Sequence, residues 1–226
     1  MRTAASPHGR RRLAPEVRRR QVLDAAVAVF SEAGFHGASM EAVAERAGVS
    51  KPLVYAHGGT KEELFAACLR REAGRLLHTV TEAAGAGRAD DPQTRLWCSL
   101  RAFFVALTTR RQGWTVLYRQ ASTGEFAGEV DALRRGIVEQ AAALLADGFD
   151  LPPGTALPFA HTLVGAAEGL ADWWLTRDDD TPAGTDPADA LARTIMTVAA
   201  PGLDALRAGR TWEPPIALST EVSPST

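Results

Sequence analysis

Cysteine is scarce: Cys68 and Cys98 are the two in 226 residues. They are too few and too far apart for a disulfide framework, so the fold must rest on its core, and a reducing cytoplasm is the expected location. Sustained alternation of Val, Ile, Thr and aromatic residues is nearly missing, which argues against sheets. No apolar run is long and clean enough to span a bilayer, so no membrane partner is expected. Arg10-Arg11-Arg12 is followed by no signal-peptide core. G-x-S-x-G, H-E-x-x-H, the P-loop and the dinucleotide fingerprint are missing too, and with them the common routes to an enzyme or a cofactor. No internal repeat or heptad run appears.

What is present favours helices. The chain is 46% hydrophobic and 23% charged, and alanine is prominent. The net charge of −2 hides an asymmetry: residues 1–61 hold ten Lys and Arg against five Asp and Glu, the remainder fifteen against twenty-two. A basic front and an acidic back orient a molecule toward a polyanion.

The stretch Ser39–Lys61 organises that front. Ser39 has an N-cap side chain and precedes Met40, Val43, Ala44 and Ala47 at helical spacing. Gly48 then suits a left-handed stop. Ser50 is placed to cap a second helix, with Pro52 in its first turn. Leu53 and Val54 are expected to face inward, leaving Lys51, Tyr55 and His57 outward. Helix, glycine turn and short helix make a helix-turn-helix, whose second helix fits the DNA major groove. Before it, Pro15–Ala33 is a helix with Leu23, Ala26, Val27 and Phe30 in one stripe. Arg18, Arg19 and Arg20 near its start oppose the helix dipole, a placement that answers phosphates or is a solvated charge run.

The run from Arg18 to Phe65 resembles the DNA-binding domain of the TetR family of transcriptional regulators. The matching residues are Val22-Leu23-Asp24-Ala25-Ala26 with Phe30, Gly34-Phe35, Ser39-Met40, Val43-Ala44, Ala47 to Lys51, Leu53-Val54-Tyr55 and Lys61 to Leu64. One departure is Gly58, where the family usually carries an aromatic; it implies weaker packing at the end of the second helix. The resemblance implies a helical body that binds an effector, joined to the head by the helix Lys61–Ala84, and makes Tyr55 and His57 further DNA contacts. The residues alone leave Tyr55 as a packed ring with a wet hydroxyl, and His57 as a solvated side chain.

The expected DNA contacts are therefore Arg18, Ser39, Ser50, Lys51, Pro52, Leu53, Tyr55, His57, Thr60 and Lys61. Ser39 opens a helix onto phosphate, as do Thr60 and Lys61. Lys51 is suited to guanine O6 or N7, and Pro52 or Leu53 to a thymine methyl. In the body, helices are expected at Gln93–Arg110, broken at Gln112-Gly113 and resumed over Trp114–Gln120, then at Gly124–Ala146, Phe159–Thr176 and Ala188–Ala208, with Gly148–Pro158 a turn-rich link. Most of the body's aromatics read as core; Phe104, Trp114, Tyr118 and His161 are the candidates for a pocket wall. The last two helices are the candidate dimer surface, through Gly165, Ala166, Gly169, Trp173, Leu191 and Ile195; close packing within one chain is the alternative. His161, Glu168 and Asp172 share a helix face, a weak metal pattern, and no metal is expected.

The fold class that follows is all-α: an N-terminal three-helix helix-turn-helix domain over residues 15–61 and a larger helical effector-binding and dimerisation domain over 62–210. Residues 1–14 read as a disordered basic arm, either a plain tail or a DNA-reaching one, and 211–226 as a flexible tail. The expected function is a repressor released from a palindromic operator on double-stranded DNA by a small apolar or aromatic effector, acting as a homodimer. The alternative is a helical small-molecule or metal-binding protein with a non-functional head.

Overall fold

A computed structural model describes residues 14–86, 91–116, 126–177 and 186–213. Every regular element among them is a helix. The head is α1 (Pro15–Gly37), α2 (Met40–Ala47) and α3 (Lys51–Gly58). The long α4 (Lys61–Ala86) leaves it for the body, made of α5 (Pro92–Thr109), the short α6 (Arg111–Trp114), α7 (Ala127–Phe149), α8 (Pro153–Leu175) and α9 (Pro187–Arg207).

The predicted stripe of α1 is buried: Leu23, Ala26, Val27 and Phe30 all lie in the head's core. The helix breaks at Gly34, whose φ of 71° only glycine takes freely, and adds one more turn to Gly37. Phe30, Phe35 and Phe65 form a ring cluster there, with Phe30 edge-on to Phe65 at 4.9 Å. That core draws on α4 as far as Ala73, and on Val116 and Phe126 from the body.

The second core lies among α5, α7, α8 and α9, centred on Phe104, Val138, Ala160 and Leu203. Two stretches of the body differ from expectation. The break after α5 falls at Arg110, with φ −133° and ψ 51°, and Gln112-Gly113 continue helically inside α6. The helix expected to resume over Trp114–Gln120 lies outside the described residues from 117 on. The expected link Gly148–Pro158 shrinks to Asp150–Pro152. Gly148 stays helical against Pro92, and Asp150 makes the left-handed stop at φ 52°. Pro153 opens α8, and Pro158 sits inside it, forfeiting one backbone bond. Asp186 caps α9 by accepting from the Ala188 N–H at 3.0 Å. The arm over 1–13 and the tail beyond 213 lie outside the described residues.

Candidate nucleic-acid interface and effector cavity

The helix-turn-helix is built as its residue types require. The Ser39 hydroxyl accepts from the Ala42 N–H at 3.1 Å, closing the start of α2. Gly48 takes φ 63°, and its N–H and that of Val49 close the end of the helix on the Glu45 and Ala44 carbonyls. In α3, Val54 is fully buried and Leu53 half-buried, while Lys51, Pro52 and Tyr55 are exposed and His57 half-exposed. Ser50 holds the N-cap position, but its side chain makes no capping bond, so its hydroxyl faces solvent.

Sequence reasoning missed what positions these groups. Gln21 donates its amide to the Ala47 carbonyl at the end of α2 (2.6 Å), and Arg18 donates to Gln21 at 2.9 Å. Arg18 is thus tethered beside the turn. Lys51 pairs with Glu41 of α2, which holds the Glu41 carboxyl below and the Lys51 ammonium above their ordinary values. Thr60 and Glu63 form a reciprocal capping box: the Thr60 N–H donates to Glu63 and the Glu63 N–H to the Thr60 hydroxyl. The signal was present as Thr-Lys-Glu-Glu. Lys61 is turned onto the head, donating to the His36 carbonyl at 3.3 Å and lying 4.7 Å over the Phe35 ring. It braces α4 against α1.

The site departs from expectation most at Gly58. A Cβ there would sit 2.8 Å from Leu64 Cδ1, so the fully buried Leu64 fills the space beside α3. The packing that the missing aromatic implied to be weak is supplied from α4.

Between head and body runs an ionic seam. Arg71 of α4 donates to the Leu23 carbonyl (3.2 Å) and pairs with Asp24 (2.9 Å), both on α1. Its neighbour Glu72 is 7% exposed and accepts from Arg71 and Arg75. The opposite carboxylate oxygen lies under Gly113 of α6, where a Cβ would come within 2.6 Å. Burial without these two guanidiniums would be costly. At the other side, Phe126 at the start of α7 packs 4.6 Å from Phe65, and Arg70 pairs with Glu129 at 2.6 Å.

An apolar cavity of about 130 Å³ lies among α4, α5, α7 and α8. Its wall includes Leu76, Leu77, Leu96, Phe103, Ile137 and Leu144. Of the polar groups on it, Ser99 donates to the Arg95 carbonyl, Arg95 pairs with Asp147 and Glu168 with Arg134. None of the four predicted wall residues lines this cavity among the described residues. Phe104 is fully buried in the core one residue away from the lining Phe103. Trp114 stands edge-on to Phe103 at 5.5 Å and faces a second cavity. His161 is exposed on the outer side of α8, since the buried positions of that helix are Ala156, Ala160, Leu163, Ala167 and Ala171. Tyr118 lies outside the described residues. The aliphatic wall was unreadable from sequence because core and cavity leucines share one periodicity. Glu168 turns to Arg134 rather than joining His161 and Asp172, both exposed.

The outer face of α8 and α9 carries Trp173 (51% exposed), Val198 (79%) and Leu157. Ala166 and Gly169 are exposed and Gly165 partly so. Leu191 and Ile195 are buried in the second core of this chain rather than exposed. Val198, three residues on from Ile195, is exposed.

Head, connecting helix and cavity-bearing body define a one-chain helix-turn-helix regulator. The profile of bacterial regulatory proteins of the tetR family matches residues 22–68, and that of the Tetracyclin repressor-like C-terminal domain matches residues 92–199. The chain is 31% identical over 169 residues to the HTH-type transcriptional activator FasR of Mycolicibacterium smegmatis, covering 74% of this chain and 76% of that protein. It is 34% identical over 87 residues to the HTH-type transcriptional repressor AcnR of Corynebacterium efficiens (37% and 46% of the two chains). A crystal structure of a TetR-like transcriptional regulator from Rhodococcus sp. RHA1 superposes with a TM-score of 0.68 at 37% identity, over 85% of this chain and 99% of that one. The chain belongs to the TetR family of transcriptional regulators.

Proposed function

We propose that this regulator binds a palindromic operator as a homodimer and leaves it when a small apolar effector fills the cavity of the body. The observation that carries this reading is the double use of α4. Its first half supplies Leu64, Phe65, Cys68 and Leu69 to the head's core. Its second half supplies Leu76, Leu77 and Val80 to the cavity wall. A ligand that favours a different seat for those leucines biases the head's position as well, provided it binds the DNA-incompetent state better.

The exposed row on α3 is the reading surface: Lys51, Pro52 and Tyr55 toward base edges, with Leu53 and His57 beside them. Arg18, Ser39, Ser50 and Thr60 serve phosphates and register. The outer face of α8 and α9 supports a four-helix interface between two copies, through Trp173, Val198 and Leu157 with Gly165, Ala166 and Gly169 allowing close approach. Two heads then address half-sites about one helical turn apart. The bound protein represses where the operator overlaps a promoter, and release by ligand lifts that repression.

Operator-bound protein titrated with octanol as an apolar probe tests the ligand response. Release by octanol from the wild type, and none from an Ala141→Phe variant whose cavity is filled, is the expected pair of results. Equal behaviour of the two proteins would remove the cavity from the account.

A further inference from the structure

The apolar cavity offers no free charge: Arg95 and Glu168, which line it, are both paired. A second cavity of about 350 Å³ abuts it, with Leu76 lining both and Trp114 standing against Phe103 at the boundary. That one merges into a groove of about 520 Å³ between α1, α4 and the turn from α5 to α6. The groove is cationic. Asp24, Arg71, Glu72, Arg75, Arg110 and Arg111 line it, four guanidiniums against two carboxylates. Glu72 is 7% exposed and its charge is held by Arg71 and Arg75, so it shows little field to the groove. Among the described residues Arg110 has no ion pair, and Arg111 rests on the Trp174 ring at 4.7 Å.

We infer that the effector is an anionic amphiphile, its tail in the apolar cavity and its carboxylate or phosphate head in the groove on Arg75, Arg110 and Arg111. A hydrocarbon tail matches a wall of aliphatic side chains, and an anionic oxygen matches Arg110 and Arg111, which have no carboxylate partner among the described residues, beside Arg75, which shares Glu72 with Arg71. The position also links binding to the head. Arg75 lies 3.7 Å from the Asp24 carboxylate of α1, so an anion taken up by Arg75 competes with the contact that ties α1 to α4. This inference rests on the cavity being the effector site.

Titration calorimetry of the full chain with octyl phosphate, octanoate, octanol and inorganic phosphate tests it. The expected result is that at least one charged octyl compound binds the wild type about tenfold or more tighter than octanol, the size of one charge-assisted bond. That preference shrinks as salt rises. The preferred head group names the ligand class. An Arg110→Gln/Arg111→Gln variant, altered at two exposed side chains, binds octanol as before and loses the preference. Equal binding of octanol and both charged compounds by the wild type would overturn the inference and leave the cavity standing. So would a preference that survives in the variant, or inorganic phosphate binding as tightly as octyl phosphate. If no octyl compound binds, the cavity reading falls with it.

Discussion

Alanine at Ser39 removes the oxygen that accepts the Ala42 N–H and lowers stability by about 1 kcal/mol, the usual worth of an N-cap, read in urea unfolding. Lys51 makes a sharper case, because its ammonium is already engaged by Glu41. Lys51→Ala weakens specific DNA binding by about 1–3 kcal/mol if the ammonium reaches a base. Glu41→Gln does the opposite: it frees Lys51, removes a negative charge beside the phosphates, and tightens binding in fluorescence anisotropy. Tightening by Lys51→Ala, or weakening by Glu41→Gln, would place the pair away from DNA. Cys68 has burial pushing its thiol up to about 12. It is therefore inert to a thiol reagent at about pH 8 in the folded protein, where only the half-buried Cys98 reacts, and both react in denaturant. The sign for stability follows: the folded state keeps the Cys68 proton after the unfolded chain has lost it, so this contribution is present below the ordinary thiol value of 9.0 and declines above it.

The short α6 tests the seam between head and body. Gly113→Ala places a Cβ against Glu72, which cannot swing away while Arg71 and Arg75 hold it. A loss of about 1–3 kcal/mol in thermal or urea unfolding is expected, as for other overpacked sites; an unchanged midpoint would show the seam to be loose. The elements of the head were legible because each carries its own punctuation: Ser39 before, Gly48 after, Pro52 in the first turn. The seam was not, because Gln21, Asp24, Arg71 and Arg75 read as surface charge until the helices are placed side by side. The same limit hid the start of α8. Two prolines and a glycine at 152–154 look like a loop, yet a helix accepts proline at its first position, and the stop before it came from Asp150 rather than Gly148. At α9 the periodicity identified Leu191 and Ile195 as apolar positions, but not what they face; in the fold it is the core of their own chain.

At the scale of the whole molecule, two cores share one helix. The head is seated on α4 by Phe65 and Leu64 and on the body by Val116 and Phe126, while the cavity lies further along α4. Such an arrangement lets a ligand and a DNA site bias one equilibrium from two ends. A family with helix-turn-helix heads, an exposed Trp173 and Val198 on adjacent helices, and a basic front all agree with a two-headed DNA reader. The most direct test selects fragments bound by the purified protein from a random-sequence double-stranded library, then measures affinity for the selected site by anisotropy across a salt series. The account predicts a palindrome with half-sites about one helical turn apart, bound far more tightly than unrelated DNA and losing affinity steeply with salt. Recovery of no common sequence, with weak binding that ignores salt, would contradict it.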